Sequence, residues 1–159
     1  MSVRSTEIRL AERPHGWPTA DTFEIAETEV GDPGPGQVLV RNLLMSVDPY
    51  MRGRMDDRKS YTPPFQLGEP LEGAAVGEVV ATGEGVDGLK PGDTVLHGLG
   101  WREYAEFPAT HATKVDPERA PLGAYLGVLG GTGLTAYAGL FESGCVNDER
   151  LQSMFDCSV

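Results

Sequence analysis

One segment, SVDPYMRGRM at positions 46–55, holds the side chains best placed to do chemistry. It follows a long apolar run, and Pro49 fixes a turn that leaves the phenol of Tyr50 just beyond it. A phenol in such a turn can donate a hydrogen bond to a substrate oxygen if the loop faces a cleft. By composition alone, the segment is also explained by an ordinary surface tyrosine, so both interpretations stay open at this point.

Metal binding and nucleophilic catalysis find little support in the sequence. The three histidines, His15, His97 and His111, are far apart, and the two cysteines, Cys145 and Cys157, lie near the end of the chain. These positions form neither a Cys-x-x-Cys nor a His-Glu-x-x-His motif, so we expect no metal site. The sequence also has no Gly-x-Ser-x-Gly segment, and nothing in it indicates a serine nucleophile.

A glycine-rich segment, GEGVDG at positions 83–88, matches the spacing of a dinucleotide-binding turn. Such a turn needs a helix directly after it, because the helix N-terminus holds the pyrophosphate. The residues that follow, LKPGD at positions 89–93, are instead typical of another turn. We therefore interpret the segment as a connection between two strands and not as a cofactor site.

The chain is strongly acidic, with 13 basic and 24 acidic side chains and a formal charge of −11 at pH 7. Such a surface repels phosphate backbones and acidic lipid headgroups, so we expect no nucleic-acid partner and no membrane partner. Four basic residues are an exception because they fall close together: Arg52, Arg54, Arg58 and Lys59. They indicate either an anion-facing loop or a solvated loop neutralised by Asp56 and Asp57. The nearby carboxylates Glu69 and Glu72 are expected to be structural or solvated.

Composition and pattern predict a fold made of short strands. The 159 residues suffice for one compact domain, and 21 Gly with 12 Pro argue for many turns. Apolar patterning predicts strands at positions 7–11, 22–30, 37–47, 73–82, 94–96, 104–107 and 113–115. In the second of these, Phe23, Ile25 and Val30 are expected to face inward. Short strands at this spacing are typical of a closed or nearly closed β-barrel.

An uncharged stretch, residues 122–141, follows the predicted strands. Its length would span a bilayer, and the spacing of Gly123 and Gly127 matches the motif of paired membrane helices. The glycines of GGTG at positions 130–133 argue against a spanning helix. We interpret the stretch as two short buried helices, each with an apolar face. The faces consist of Leu122, Leu126 and Leu129 in the first helix and of Leu134, Ala138 and Phe141 in the second.

The segment DPYMR at positions 48–52 resembles the signature of the zinc-free enone reductases, a branch of the medium-chain dehydrogenase/reductase superfamily. This branch includes prostaglandin reductases, plant alkenal reductases and bacterial curcumin reductases. Further segments agree in the family's order: SYTPPF at 60–65, GAAVGEV at 73–79, KPGD at 90–93, WREY at 101–104 and GVLGGTGLTAY at 127–137. The resemblance covers about residues 5–144, and its motifs are specific in combination.

The resemblance implies a mainly β fold, with a GroES-like catalytic barrel at residues 1–121 and short helices at its C-terminal side. Residues 122–144 would form the helical start of a junction to the family's Rossmann domain, which is absent from this sequence. Residues 145–159 match no family pattern and are expected to be disordered. Zinc-dependent relatives have His-Glu-Gly where this chain has Leu71-Glu72-Gly73. The histidine ligand is therefore missing, and no metal is implied.

The family's reaction is the NADPH-dependent reduction of the C=C bond in an α,β-unsaturated carbonyl compound. By resemblance, Tyr50 is the catalytic tyrosine that lines the substrate site. Tyr61, Gly98 and Leu99 are further residues that the resemblance implies in substrate binding. Thr132 and Thr135 fall in the segment that approaches the nicotinamide of NADP(H).

Two hypotheses from different classes follow. In the first, the chain is the N-terminal catalytic domain of an NADPH-dependent reductase of small enones or aldehydes, inactive alone because it lacks the nucleotide-binding domain. In the second, the chain is a non-catalytic module that binds a small ligand or forms homo-oligomers through the apolar face of residues 122–141. The scarce cysteines, and the absence of an apolar run near Met1, favour a reducing, cytoplasmic location.

Overall fold

A computed structural model of the chain describes residues 2–60 and 62–142. The strands are β1 (Val3–Leu10), β2 (Phe23–Val30), β3 (Gln37–Met45), β4 (Ala75–Thr82), β5 (Thr94–His97), β6 (Tyr104–Pro108) and β7 (Thr113–Lys114). The α-helices are α1 (Tyr50–Arg54), α2 (Leu122–Leu126) and α3 (Gly131–Tyr137). Short 3₁₀ turns lie at Ala20–Thr22 and Ala109–His111, and a π-helical turn at Ala138–Glu142 follows α3. The predicted disorder at 145–159 concerns residues outside the described ranges.

Two antiparallel sheets form the body of the fold. The larger has the strand order β6-β3-β4-β5-β7, and β1 pairs with β2 in the smaller. Isolated backbone bridges join β1 to the loops of the larger sheet, with Glu7 opposite Arg102 and Arg9 opposite Pro70. The predicted strands are therefore confirmed within a few residues at their ends. The wall that they form consists of two sheets linked by bridges, not of one continuous ladder.

Two apolar clusters fill the interior. The first lies on the larger sheet and consists of Val38, Val40, Val79, Val95, Ala105 and Phe107. The second lies between β1 and α1 and consists of Leu10, Met51, Met55, Phe65 and Leu71. Full burial of a large apolar side chain contributes about 1.5–3 kcal/mol. The second cluster therefore anchors α1. Met51 lies on the buried side of this helix, and Met55 follows its last residue.

The glycine-rich segment at residues 83–88 lies in the loop from β4 to β5, which contains no helix along its described length. Gly85 and Gly88 have φ angles of +77° and +83° there, in the left-handed region that favours glycine. The glycines thus serve the turn itself. The interpretation of this segment as a strand-to-strand connection is confirmed.

The prediction that Ile25 faces inward is wrong, because its side chain is 74% exposed. Ile25 lies on the face of β2 that also exposes Glu27 and Glu29, whereas Ala26, Thr28 and Val30 on the other face are half-buried. At the start of β2, Phe23 stacks on Trp101, with ring centroids 6.2 Å apart. An alternating pattern identifies the strand, but it does not show which of its two faces the rest of the molecule covers.

The two short helices predicted within residues 122–141 are confirmed, but their burial is not. The exposed apolar side chains of this region are Val128, Leu129, Leu134, Tyr137 and Phe141. The helix α2 packs on β3 and β4, whereas α3 mainly contacts the π-helical turn that follows it. The apolar faces therefore exist without the cover that burial requires. Among the described residues, no helix is long and apolar enough to cross a bilayer.

Candidate active site around Tyr50

Tyr50 is the first residue of α1. Pro49 precedes it with φ −56° and ψ −32°, and the N–H of Met51 donates to the carbonyl of Asp48 at 3.0 Å. The hydroxyl of Ser46 donates to the carboxylate of Asp48 at 2.6 Å. These local contacts hold the turn, and they place the exposed Tyr50 side chain on the walls of two cavities.

Two arginines tie α1 to the loop that precedes β2. The guanidinium of Arg52 donates to the carbonyl of Gly16 at 2.8 and 2.9 Å. In return, Arg13 donates from that loop to the carbonyl of Met55 at 2.8 Å, just beyond the end of the helix. Hydrogen bonds from a charged donor are stronger than neutral ones. The arginines therefore restrain α1 at its middle and at its C-terminal end, and with it Tyr50.

A cavity of about 480 Å³ opens on one side of Tyr50, and we name it the arginine cavity. Its lining residues are Pro49, Tyr50, Arg52, Gly53, Arg54, Asp56, Arg58, Ser60 and Thr62. Asp56 pairs with Arg52 at 2.7 Å, and the hydrogen bond from Arg52 lowers the pKa of the Asp56 carboxyl. Arg58 lies 3.7 Å from the same carboxylate. Asp56 therefore neutralises Arg52 and lies near Arg58, as the solvated-loop interpretation expects of it.

Arg54 has a separate set of partners. It lies over the ring of Phe65 at 4.0 Å and donates to the carbonyl of Pro63 at 2.9 Å. It also pairs with the carboxylate of Glu72 at 2.9 Å. Glu72 is thus a half-exposed ion-pair partner of Arg54, in line with the structural or solvated role expected of it.

Leu71, which the resemblance places where zinc-dependent relatives have a histidine, is buried in the second apolar cluster. Glu72, beside it, is paired with Arg54. In the part of the chain that the structure describes, no group of three or more His, Cys, Asp or Glu side chains is placed to hold a metal ion.

A second cavity, of about 620 Å³, also has Tyr50 in its lining, and we name it the tyrosine cavity. Its lining residues are Ser46, Asp48, Tyr50, Ala74, Leu126, Gly131, Thr132, Thr135 and Ala136. The structure thus brings Tyr50 together with Thr132 and Thr135, which are distant in the sequence. The hydroxyl of Thr135 donates to the carbonyl of Gly131 at 2.8 Å. The Thr135 oxygen can still accept a hydrogen bond through its lone pairs.

The remaining predicted site residues are not in these cavities. Gly98 and Leu99 line a separate cavity of about 260 Å³ with His97 and Phe107. Tyr61 lies outside the described residues. The structure therefore joins the predicted catalytic tyrosine to the predicted cofactor contacts, but it does not join it to the predicted loop at Gly98 and Leu99.

Comparison with known proteins decides the family. Residues 6–115 match the model described as the N-terminal domain of oxidoreductase. YfmJ of Bacillus subtilis (strain 168) is 46% identical over 144 residues, which cover 91% of this chain and 42% of that protein. The NADPH-dependent curcumin reductase of Escherichia coli (strain K12) is 42% identical over 135 residues, covering 85% of this chain and 39% of that protein. The chain belongs to the enone reductase branch of the medium-chain dehydrogenase/reductase superfamily.

A solved structure supports the fold of this N-terminal domain. CurA from Vibrio vulnificus in complex with NADPH has a TM-score of 0.79 and 36% identity to this chain, covering 88% of this chain and 40% of CurA. The predicted GroES-like, mainly β fold is confirmed. The chain spans about two fifths of the length of the curated relatives it matches.

Sequence reasoning missed two polar residues of the tyrosine cavity, Ser46 and Asp48. The signal was available, because both lie in the same segment as Tyr50 and alternate with it along the chain. The sequence also suggested His97 only as a possible metal ligand, whereas the structure places its ring in a hydrogen-bond network.

His97 organises the loop that ends β5. Its Nδ1 accepts the N–H of Leu99 at 3.1 Å, and its Nε2 lies 2.8 Å from Oδ1 of Asn42. The amide of Asn42 donates to the carbonyls of Leu99 and Arg102 at 2.9 and 2.8 Å. Because Nδ1 accepts, the ring proton lies on Nε2 and the imidazole is neutral. Burial, and secondarily the charge of Arg102, lower the pKa of His97 to about 4.

Proposed function

We propose that this chain forms the substrate-binding side of an NADPH-dependent reductase that reduces the C=C bond of α,β-unsaturated ketones and aldehydes. The observation that supports this function is the tyrosine cavity, in which Tyr50 shares one space with Thr132 and Thr135. The relative from Escherichia coli is named an NADPH-dependent curcumin reductase, and curcumin is a conjugated ketone. We also propose a cytoplasmic location, which rests on the scarce cysteines.

Tyr50 is the hydrogen-bond donor of the proposed site. Negative charge develops on the carbonyl oxygen as the adjacent C=C bond is reduced, and a donor held in advance at that oxygen lowers the barrier. The helix α1, restrained by Arg13 and Arg52, holds the phenol without relying on the substrate. Ala74, Leu126 and Ala136 provide the apolar wall against which a hydrocarbon chain can pack.

NADPH supplies the hydride for this chemistry when it is bound. In this proposal, Thr132 and Thr135 would contact its nicotinamide end, where the oxygen of Thr135 can accept a hydrogen bond. The pyrophosphate of such a cofactor is held by a helix N-terminus after a glycine-rich turn, whereas residues 83–88 connect two strands. The described residues therefore fit the nicotinamide end but not the pyrophosphate. We expect the chain by itself to bind NADPH weakly in a fluorescence titration, with little preference over NADH.

Removal of the Tyr50 hydroxyl tests the proposed function. Tyr50→Phe should weaken the binding of benzylideneacetone, a neutral enone, by about 0.5–1.5 kcal/mol, or roughly two- to tenfold in Kd. The affinity is measured by NMR titration of the ¹⁵N-labelled chain. Tyr104→Phe, on β6 and on the wall of neither cavity, is the matched control and should keep the affinity of the unaltered chain. Equal affinity in the two variants would contradict the role of Tyr50.

A second candidate function is self-association without catalysis. The exposed apolar side chains of α3 and its neighbouring turns, among them Leu134 and Phe141, favour it. Large exposed apolar patches commonly mark interaction surfaces. A chain that sediments as a monomer at every concentration would remove this candidate.

A further inference from the structure

The two cavities that meet at Tyr50 differ in charge. The arginine cavity is lined by Arg52, Arg54, Arg58 and the carboxylate of Asp56, and Glu72 pairs with Arg54 from outside the lining, so Arg58 is the guanidinium without a close carboxylate partner of its own. The tyrosine cavity contains one charged group, the carboxylate of Asp48. A local cationic site is exceptional in a chain with a formal charge of −11. Charges that line a concave surface concentrate ions of opposite sign there.

Arg58 is the guanidinium best placed to meet a ligand in the arginine cavity. Arg52 and Arg54 each donate to backbone carbonyls as well as to a carboxylate. The ion pair of Arg58 is longer, since its Nε lies 3.7 Å from Asp56, beyond hydrogen-bond distance. Its Nη2 lies over the helix at Gly53, where an added Cβ would be 3.8 Å away. The Arg58 guanidinium therefore lies beside α1 and makes weaker polar contacts than those of Arg52 and Arg54.

We propose that the site prefers enones that carry a carboxylate on the acyl side, so that the anion and the C=C bond lie on opposite sides of the carbonyl. This inference rests on the proposed function, which places the carbonyl at Tyr50 and the C=C bond toward Thr132 and Thr135. The acyl substituent then extends past Tyr50 into the arginine cavity and reaches Arg58. A carboxylate on the alkene side lies instead in the tyrosine cavity, where Asp48 repels it.

Four probes with related skeletons separate these effects. Cinnamoylpropionate carries its carboxylate on the acyl side of the enone, and para-carboxybenzylideneacetone carries it on the alkene side. The methyl ester of each acid is a neutral control of matched size. In NMR titrations of the ¹⁵N-labelled chain at low salt, we expect cinnamoylpropionate to bind about fivefold more tightly than its ester, the scale of a partly exposed ion pair. The alkene-side acid should bind more weakly than its own ester.

The dependence of the acid-to-ester affinity ratio on salt is a second test of the same preference. The Debye length falls from about 30 Å at 0.01 M to about 3 Å at 1 M ionic strength. The ratio of acid to ester affinity should therefore approach one at high salt for both acids. A preference that survives 1 M salt would show that packing, and not charge, selects the acyl-side acid, and it would overturn the inference.

Arg58→Gln removes the proposed anion partner, and Arg119→Gln is its matched control. Both variants remove one positive charge from a largely exposed side chain, since Arg58 is 69% and Arg119 is 84% exposed. Arg119 lines neither cavity and has only a 3.9 Å contact with Asp116 among the ion pairs of the described chain. We expect the acid-to-ester ratio for cinnamoylpropionate to fall to about one in Arg58→Gln and to stay at about fivefold in Arg119→Gln.

The outcomes distinguish this inference from the function on which it rests. If the acid and its ester bind equally to the unaltered chain, or if Arg58→Gln keeps the preference, the inference is overturned. The proposed function then still stands, provided that the esters shift amides of the tyrosine cavity. If none of the four probes shifts an amide of either cavity, the proposed function fails and the inference fails with it.

Discussion

The contacts of His97 leave room for only one protonation state. Its Nδ1 accepts the N–H of Leu99, and its Nε2 donates to Oδ1 of Asn42. A second ring proton would sit on Nδ1 and remove the hydrogen bond from Leu99. The ring also stacks on Phe107, with centroids 4.7 Å apart. Protonation would place a charge in this buried network beside Arg102. The loop after β5 therefore depends on a neutral His97.

This requirement predicts a pH-dependent stability. The pKa of His97 is lowered from 6.5 to about 4, so between these values the unfolded chain binds more protons than the folded chain. The free energy of unfolding should be unaffected by His97 above pH 6.5 and should fall by about 1.4 kcal/mol per pH unit from there down to about pH 4. Urea unfolding followed by circular dichroism across pH 4.5–7 measures this slope.

Two variants isolate the contribution of His97. His97→Gln keeps an acceptor and a donor but does not titrate, so most of the slope should disappear. His15→Gln, in an exposed loop position, should keep it. Asp93 adds little to the slope measured between pH 4.5 and 7. The hydrogen bond from Lys114 lowers the pKa of Asp93, so its contribution to stability is lost only at more acid pH. An unchanged slope in His97→Gln would contradict the account.

The sequence identified some site residues and missed others for a physical reason. Tyr50, Thr132 and Thr135 were predicted by resemblance, and the structure brings them to one cavity. Gly98 and Leu99 were predicted by the same resemblance, yet they line a different cavity. Their position depends on hydrogen bonds between β3 and the loop after β5, such as the one from Asn42 to Leu99. Contacts between residues so far apart in the chain leave no local pattern.

At the scale of elements, the close approach of β3 and β4 supports the strand that leads to α1. Gly77 on β4 lies opposite Asn42 on β3. A Cβ added at Gly77 would lie 2.6 Å from the carbonyl oxygen of Arg41 and would press against Val40. The backbone of β3 cannot yield easily, because β6 pairs with its other edge.

Gly77→Ala should therefore destabilise the fold by about 1–3 kcal/mol, the usual cost of overpacking. Gly31→Ala is the control, since a Cβ at Gly31 would meet nothing within 4 Å. Urea unfolding of the two variants measures the difference. Equal midpoints would show that β3 and β4 adjust to the added methyl group, against this account.

The elements themselves were more predictable than their surroundings. Alternation identified β2, and the glycines near position 130 indicated two helices, although the break falls at residues 127–130 and Gly131, Thr132 and Gly133 lie inside α3. The same patterns gave the wrong burial for Ile25 and Leu134, which are 74% and 68% exposed. Periodicity shows which side of an element is apolar, whereas the layer that covers it is set by the rest of the molecule.

At the scale of the whole molecule, exposed apolar helices are combined with a formal charge of −11. The apolar surface favours association, and the like charges of two copies oppose it. If the self-association candidate holds, sedimentation velocity should show larger species as salt screens this repulsion.

The surface that associates can be identified by two exposed aliphatic residues. Leu134→Gln on α3 should reduce association at high salt, whereas Ile25→Gln on β2 should leave it unchanged. Equal behaviour of the two variants would show that association, if present, does not use the apolar helices.

The central claim is that an enone binds beside Tyr50 in the tyrosine cavity. An NMR titration of the ¹⁵N-labelled chain with benzylideneacetone tests it most directly. The account predicts saturable shifts of the amides of Ser46, Thr132, Thr135 and Ala136, which line this cavity. Shifts confined to His97, Leu99 and Phe107 in the separate cavity, or no saturable shifts at all, would contradict it.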